Sequence, residues 1–213
     1  MYFACIVLVA SAFSLGGARA ACCWPSKWEG GEGVNIGITK GEQTHLIEGY
    51  LFVHYDYDNK MIAVDEDVFR DGKEMKAKLI RDYKSKIQYS IANGVCTRQK
   101  LPGPMISNCI LKNATKLGSY YMGMANKIQM TSYSFPAPHE HGKVSMTVSD
   151  DESCVLIGSI KTGSSKKRGD YLAAIGFVNM TPGIKDPSVF KIPDICKQSD
   201  DLPKVEVYLY SVF

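Results

Sequence analysis

The chain has 213 residues, of which 45% are hydrophobic and 22% are charged, and its formal net charge at pH 7 is +3. This composition is typical of a folded globular domain and argues against disorder. The charge is too small for a nucleic-acid-binding surface, so DNA and RNA are excluded as partners. A chain of this length buries about 70% of its unfolded surface, which is enough for a full apolar core.

The first twenty residues have the pattern of a secretory signal peptide. Residues 6–15 form a short apolar run, and the Ala-Arg-Ala sequence at 18–20 is the small-x-small motif that signal peptidase reads. We therefore expect residues 1–20 to be a signal peptide and residues 21–213 to form one domain. No later apolar stretch reaches the roughly 18 residues of a membrane-spanning helix, so no transmembrane anchor is expected.

Alternation of apolar and polar residues predicts β-strands along most of the chain. In residues 51–57 the apolar side chains occupy every second position, as in a half-buried strand. The pattern resumes at residues 62–64, after a turn at residues 58–60, and predicts a hairpin. Residues 73–89 fit either a strand or a short helix. Alternation also predicts strands at residues 144–148 and 205–213. Residues 154–160 and 171–178 are more continuously apolar, which is consistent with central strands but also with buried helix.

Turn signals recur at short intervals between the apolar segments. Examples are Gly30-Gly31, Asn93-Gly94 and Pro182-Gly183. Many short strands separated by such turns are typical of antiparallel sheets in a sandwich or a partly closed barrel. The sequence therefore predicts an all-β protein.

Cysteine usage and two glycosylation motifs indicate an exported protein. One of the seven cysteines, Cys5, lies in the leader, which leaves an even number that predicts three disulfides. Six cysteines allow 15 pairings, and those that join the adjacent Cys22 and Cys23 are set aside as strained. Zinc ligation is disfavoured because it needs two separate close pairs of ligands. Asn113 and Asn179 each begin an N-x-T triplet and are candidate glycosylation sites.

The sequence offers no catalytic constellation and one weak metal candidate. The common hydrolase and nucleotide-binding motifs are absent, and no nucleophile with a partner can be named, so we expect a non-enzyme without a required cofactor. Carboxylates around one hairpin offer oxygen ligands that suit calcium. Their spacing is not that of an EF-hand loop, and solvated turn residues are the simpler interpretation. The candidate calcium ligands are Asp56, Asp58, Asp65 and Asp67.

The two ends of the exported chain resemble a known family. Residues 22–30, CCWPSKWEG, are similar to the C-x-x-P-x-x-W-E-G opening of the ependymin-related proteins. Residues 183–190, GIKDPSVF, followed by Pro193 and Cys196, resemble the C-terminal segment of the same family. The residues between these ends follow the family's order and rough spacing, so the resemblance covers nearly the whole exported chain.

The resemblance implies an all-β fold with minor α content, in which two stacked, curved antiparallel sheets form a half-barrel like that of bacterial lipoprotein-carrier proteins, with a deep apolar pocket. It also implies a homodimer and an exported glycoprotein of the extracellular matrix or the lysosome, associated with calcium and lipid-like molecules. The third disulfide of vertebrate members joins two cysteines that this chain lacks. This chain has Cys23 and Cys109 in addition, and we expect these two to pair with each other. The expected disulfides are Cys22–Cys154, Cys96–Cys196 and Cys23–Cys109.

We therefore expect a secreted protein that binds hydrophobic or amphipathic, lipid-like molecules in an apolar pocket. Methionine and tyrosine recur on the alternating faces and suit such a pocket, although spacing alone favours a dry, packed core. The alternative is a calcium-dependent matrix or adhesion glycoprotein in which the same residues are plain core. The residues expected to line the pocket are Leu51, Val53, Tyr55, Ile62, Val64, Met130, Val144, Met146 and Val148.

Overall fold

The computed structural model describes residues 22–101, 103–137, 141–165 and 169–197. The expected signal peptide and the expected strand at residues 205–213 lie outside these ranges. Within them the chain forms antiparallel strands and two short 3₁₀ turns, which confirms the all-β class. Neither of these turns, of four and three residues, has the length or the apolar character to cross a membrane.

Eleven strands account for most of the described residues. Their bounds are β1 Lys27–Lys40, β2 Gln43–Asp56, β3 Met61–Arg70, β4 Lys73–Asp82, β5 Ile87–Ala92, β6 Val95–Lys100, β7 Thr115–Met122, β8 Ile128–Pro136, β9 His141–Ser149, β10 Leu156–Ser165 and β11 Gly169–Pro182. The 3₁₀ turns follow at Pro187–Phe190 and Asp194–Cys196.

All eleven strands are hydrogen-bonded into one antiparallel sheet. The strand order is β6-β5-β4-β3-β2-β1-β11-β10-β9-β8-β7. Strands that follow each other in sequence pair within each half, β1 to β6 and β7 to β11, and the long-range pairing of β1 with β11 joins the two halves. In the described part of the chain β6 and β7 are the edges, so the sheet does not close on itself. The two sheets implied by the resemblance are joined into one by this central pair.

Tight turns produce most of these pairings. β2 and β3 form the hairpin that the sequence predicts, and residues 73–89 form β4 and the start of β5 rather than a helix. Asn93 and Gly94 turn β5 into β6 with φ values of 49° and 73°, the left-handed region that these two residue types favour. The Gly30-Gly31 turn prediction is wrong. Gly30 lies inside β1, where an added Cβ would stand only 2.9 Å from Cα of Met180.

Large apolar side chains share one surface of the sheet, which we call the core face. Across the strands Trp28 is in register with Tyr55, and Tyr55 with Ile62. The ring of Trp28 stacks on that of Tyr55 with centroids 5.7 Å apart. The Tyr55 hydroxyl donates to the carbonyl oxygen of Ile106 at 2.7 Å, which fixes the β6–β7 connection over the core. Burial of each such side chain contributes about 1.5–3 kcal/mol to folding.

Three disulfides fasten the segments outside the strands to one another and to β6. Two of them hold the N-terminal segment against the β9–β10 and β6–β7 connections, and the third ties the second 3₁₀ turn to β6. The pairs are the ones that the family resemblance implies, and such bonds form in an oxidising compartment. They are Cys22–Cys154, Cys23–Cys109 and Cys96–Cys196.

Among the described residues the core face also buries the acidic and basic side chains of Glu32, Glu66 and Arg81. Glu66 is in register with Leu51, and Arg81 is in register with Ile62. Burial raises the pKa of Glu66 to about 7, although the nearby charge of Arg81 acts in the opposite direction. Arg81 is held in place because its Nε donates to Oε1 of Gln88 at 3.2 Å. Glu66 therefore changes its charge near neutral pH in the folded protein.

Replacing Glu66 by Gln should remove a pH dependence of stability. The folded protein keeps the Glu66 proton up to a pH of about 7, whereas the unfolded chain releases it near 4.5. Between these values the folded state binds more protons, so the free energy of unfolding falls as the pH rises. Urea titrations at pH 5 and pH 8 measure this change. From pH 5 to pH 8 the free energy of unfolding should fall more for the wild type than for Glu66→Gln. Parallel pH dependences for the two proteins would contradict the raised pKa.

Met146→Ala tests which face of the sheet is the packed one. Met146 is 1% exposed on the core face, so its truncation should cost about 2–5 kcal/mol. Ile160→Ala on the adjoining strand is the matched control, because Ile160 points to the opposite face and is 51% exposed. Its cost in urea unfolding should stay within about 0.5 kcal/mol. Equal losses for the two variants would contradict the assignment of the faces.

Candidate ligand groove

The face opposite the core, which we call the groove face, carries an open groove of about 750 Å³. The groove crosses β1, β11, β10, β9, β8 and β7. Its volume lies in the range of small-molecule binding sites. The residues that line it are Gly33, Asn35, Leu117, Gly118, Tyr120, Ser132, Ser145, Thr147, Gly158, Ser159, Ile160, Ala174, Ile175 and Gly176.

A row of small residues in register forms the floor of the groove. An added Cβ at Gly33, Gly176 or Gly118 would meet no atom within 4 Å, so the space above these backbones is open. Six strands at a spacing of about 4.8 Å give the row a length of roughly 24 Å. In strand order from β1 to β7 the row is Gly33, Gly176, Gly158, Thr147, Ser132 and Gly118.

Apolar side chains stand partly exposed around this floor. Leu117 is 56% exposed on the edge strand β7, and Ile160 is 51% exposed on β10. Ala174 of β11 is in register with Ile160 and extends the same apolar wall. Apolar surface gathered in a concave site is typical of a binding surface.

Three hydroxyl groups meet at the β7 end of the groove, and we call them the hydroxyl cluster. Tyr120 reaches over from the edge strand, and its hydroxyl contacts Oγ of Ser132 and lies 3.4 Å from Oγ1 of Thr147. Ser132 Oγ and Thr147 Oγ1 are 2.6 Å apart. Each of these hydroxyls can donate one hydrogen bond and accept two. The groove is therefore polar where Thr147 and Ser132 form its floor, and the rest of the floor, toward β1, consists of the glycines of β10, β11 and β1.

The described lining of the groove contains no Asp, Glu, Lys, Arg or His. Glu48 shares the groove face, in register with Asn35, but its side chain is exposed and outside the lining. Lys143 lies two residues before Ser145 on β9 and is exposed as well. The electrostatic character of the groove thus comes from hydroxyl and amide dipoles.

The nine residues expected to line a pocket do not line this groove. Leu51, Val53, Tyr55, Ile62, Val64, Val144, Met146 and Val148 all belong to the packed core cluster. Met130 is buried in register with Ser149, on the groove face but outside the lining. Periodicity identified the buried face of β2, β3 and β9, but it carried no information about where open space remains.

The four candidate calcium ligands lie in two separate places. Asp56 ends β2 and Asp58 lies in the β2–β3 turn, and their carboxylate oxygens are 3.4 Å and 3.8 Å from Nζ of Lys27. Asp65 and Asp67 lie further along β3, and each pairs with a lysine of β4. Among the described residues no group of three or more His, Cys, Asp or Glu side chains could hold a metal ion. Calcium binding stays a prediction without a located site.

Both candidate glycosylation sites have exposed side chains. Asn113 lies in the turn that leads into β7, and Asn179 lies near the end of β11 with φ of 53°. The pairing of β1 with β11 shifts register next to Asn179, which marks a local bulge. A glycan at either asparagine would meet no steric barrier from burial, and glycosylation itself stays a prediction.

The two segments that resemble the family meet in space, which sequence reasoning did not anticipate. The Glu29 carboxylate accepts a hydrogen bond from the backbone N–H of Lys185 at 3.2 Å and lies 3.3 Å from its Nζ. His54 Nδ1 lies 3.3 Å from the same carboxylate, and the Phe190 ring packs edge-on against the His54 ring. Burial raises the pKa of Glu29, but the hydrogen bonds and charge of Lys185 outweigh it and hold the pKa below its usual value. None of these four residues lines the groove.

The fold and the groove define a disulfide-bonded all-β protein with an open site of ligand-binding size. Residues 71–196 match the Ependymin family, and the chain belongs to that family. It is 30% identical over 187 residues to ependymin-related protein 1 of Haliotis asinina, covering 82% of this chain and 90% of the relative. Ependymin-related protein 2 of the same organism is 25% identical over 189 residues, with 84% and 91% coverage.

A solved structure of a LolA superfamily protein from Nitrosomonas europaea is also similar. It covers 78% of this chain and 90% of its own, with a TM-score of 0.37 and 8% sequence identity.

Proposed function

We propose that this protein binds a hydrophobic or amphipathic small molecule in the groove. The observation that carries the proposal is the groove itself, about 750 Å³ of open space over a floor of glycines. Half-exposed apolar side chains border it, and its described lining has no charge that would need water or a counter-ion. The same lining offers no nucleophile with an acid–base partner, so the proposed role is binding rather than catalysis.

Apolar burial would supply most of the affinity. Removing about 400 Å² of ligand and wall surface from water contributes roughly 10 kcal/mol before the cost of association is subtracted. The glycine floor helps because a ligand can approach the backbone closely, without first displacing side chains.

The proposal places the protein outside the cell. The disulfides and the family membership support an extracellular compartment. Residues 1–20 would serve as a signal peptide that is removed on export, residues 21–213 would form the domain, and Asn113 and Asn179 would carry glycans. Release into the extracellular matrix and delivery to lysosomes are both compatible with export.

Filling the floor of the groove should abolish uptake of a hydrophobic probe. Gly176→Leu places a side chain in open space between Gly33 and Gly158 of the small-residue row, where no atom lies within 4 Å of the new Cβ. We expect at least a tenfold loss of affinity for Nile red, an uncharged dye that fluoresces in apolar sites. The measurement is a fluorescence titration of both proteins, with thermal melting to establish that the variant is folded.

Gly37→Leu is the matched control for this substitution. Gly37 lies on β1 and shares the groove face, and a Cβ there also meets nothing within 4 Å, but Gly37 does not line the groove. The control should bind Nile red like the wild type. Unchanged binding in Gly176→Leu, or equal losses in both variants, would contradict the proposed site.

A further inference from the structure

We infer that the groove selects uncharged amphiphiles that carry a hydroxyl group, and that this group binds at the hydroxyl cluster. The inference rests on the proposed function of the groove and adds the chemical class of the ligand. It follows from three features of the described residues: the lack of charge in the lining, the composition of the hydroxyl cluster, and the position of that cluster relative to the glycine floor.

The uncharged lining disfavours an ionised head group. A carboxylate, phosphate or ammonium group that leaves water needs a partner of opposite charge or several hydrogen bonds to offset its desolvation. The described lining supplies no such charge. Glu48 and Lys143 share the face, but both side chains are exposed to water and lie outside the lining, so they do not form a desolvated ion site.

The hydroxyl cluster matches a ligand hydroxyl better than a group that only accepts hydrogen bonds. The three contacts among Tyr120, Ser132 and Thr147 can occupy all three hydroxyl protons. Each oxygen has two lone pairs, so accepting capacity remains after these contacts form. A ligand hydroxyl can donate a hydrogen bond to one of these free lone pairs without breaking the contacts within the cluster. An ester carbonyl or a carboxylate would instead have to take a proton from it.

The cluster and the glycine floor occupy opposite ends of the same row. Tyr120, Ser132 and Thr147 lie on β7, β8 and β9, whereas the row continues over glycines on β10, β11 and β1. The row is about 24 Å long at the usual strand spacing. One acyl chain spans about 15 Å, half of a bilayer's hydrocarbon core, so a chain and a small head group fit end to end. The geometry thus orients the ligand across the strands, with its head toward β7.

The test compares three ligands with the same 16-carbon chain by displacement of Nile red at pH 8, below their micellar concentrations. Monopalmitoylglycerol is uncharged and carries hydroxyls, methyl palmitate is uncharged without a hydroxyl, and palmitate is ionised. We expect monopalmitoylglycerol to bind more tightly than either of the others by at least about fivefold, the effect of one net hydrogen bond. Tighter or equal binding of palmitate, or of methyl palmitate, would overturn the inference.

Tyr120→Phe should lower the affinity for monopalmitoylglycerol about fivefold, because the variant lacks only the Tyr120 hydroxyl. The affinity for methyl palmitate should stay unchanged. Tyr121→Phe is the matched control, since Tyr121 is in register with Gln129 and does not line the groove. Equal losses for both ligands in Tyr120→Phe would also overturn the inference. Failure of all three ligands to displace Nile red, or displacement that survives Gly176→Leu, would instead count against the proposed function.

Discussion

Side-chain alternation along one continuous antiparallel sheet determines where this protein is packed and where it is open. In β1 the residues that face the core include Trp28, Val34 and Ile36, whereas Gly33 and Gly37 occupy the other face. Because successive side chains point to opposite faces, the same strand supplies large side chains to the core face and glycines to the groove face. The β1–β11 pairing then aligns the small residues of both halves into a single floor.

Local sequence patterns were sufficient to predict much of the fold. The hairpin of β2 and β3, the strand β9 and the all-β class follow from period-two alternation and turn residues, and β11 follows from a continuous apolar run. The same alternation correctly selected buried positions such as Val53 and Met146. It could not separate a filled interior from a cavity, because a side chain buried in either place has the same sequence pattern.

The groove depends on long-range register and on missing side chains, and neither is visible in a short window. Gly33 and Gly176 face each other only because β1 and β11, which are far apart in sequence, pair. Glycines 31, 33 and 37 share one face of β1 and are the sequence signal for the open floor, but a Gly-Gly pair is also typical of turns, so the sequence alone favours the wrong interpretation. Likewise, the contact between Glu29 and Lys185 joins segments that the sequence shows only as two separate motifs at its ends.

The central claim is that the ligand site and the packed core lie on opposite faces of one sheet. A crystal structure of the protein with monopalmitoylglycerol tests this claim most directly. The account predicts acyl-chain density over Gly33, Gly176 and Gly158, with the side chains of Val53 and Met146 still packed in the core. Ligand density between the core-face side chains, with the glycine row left empty, would contradict it.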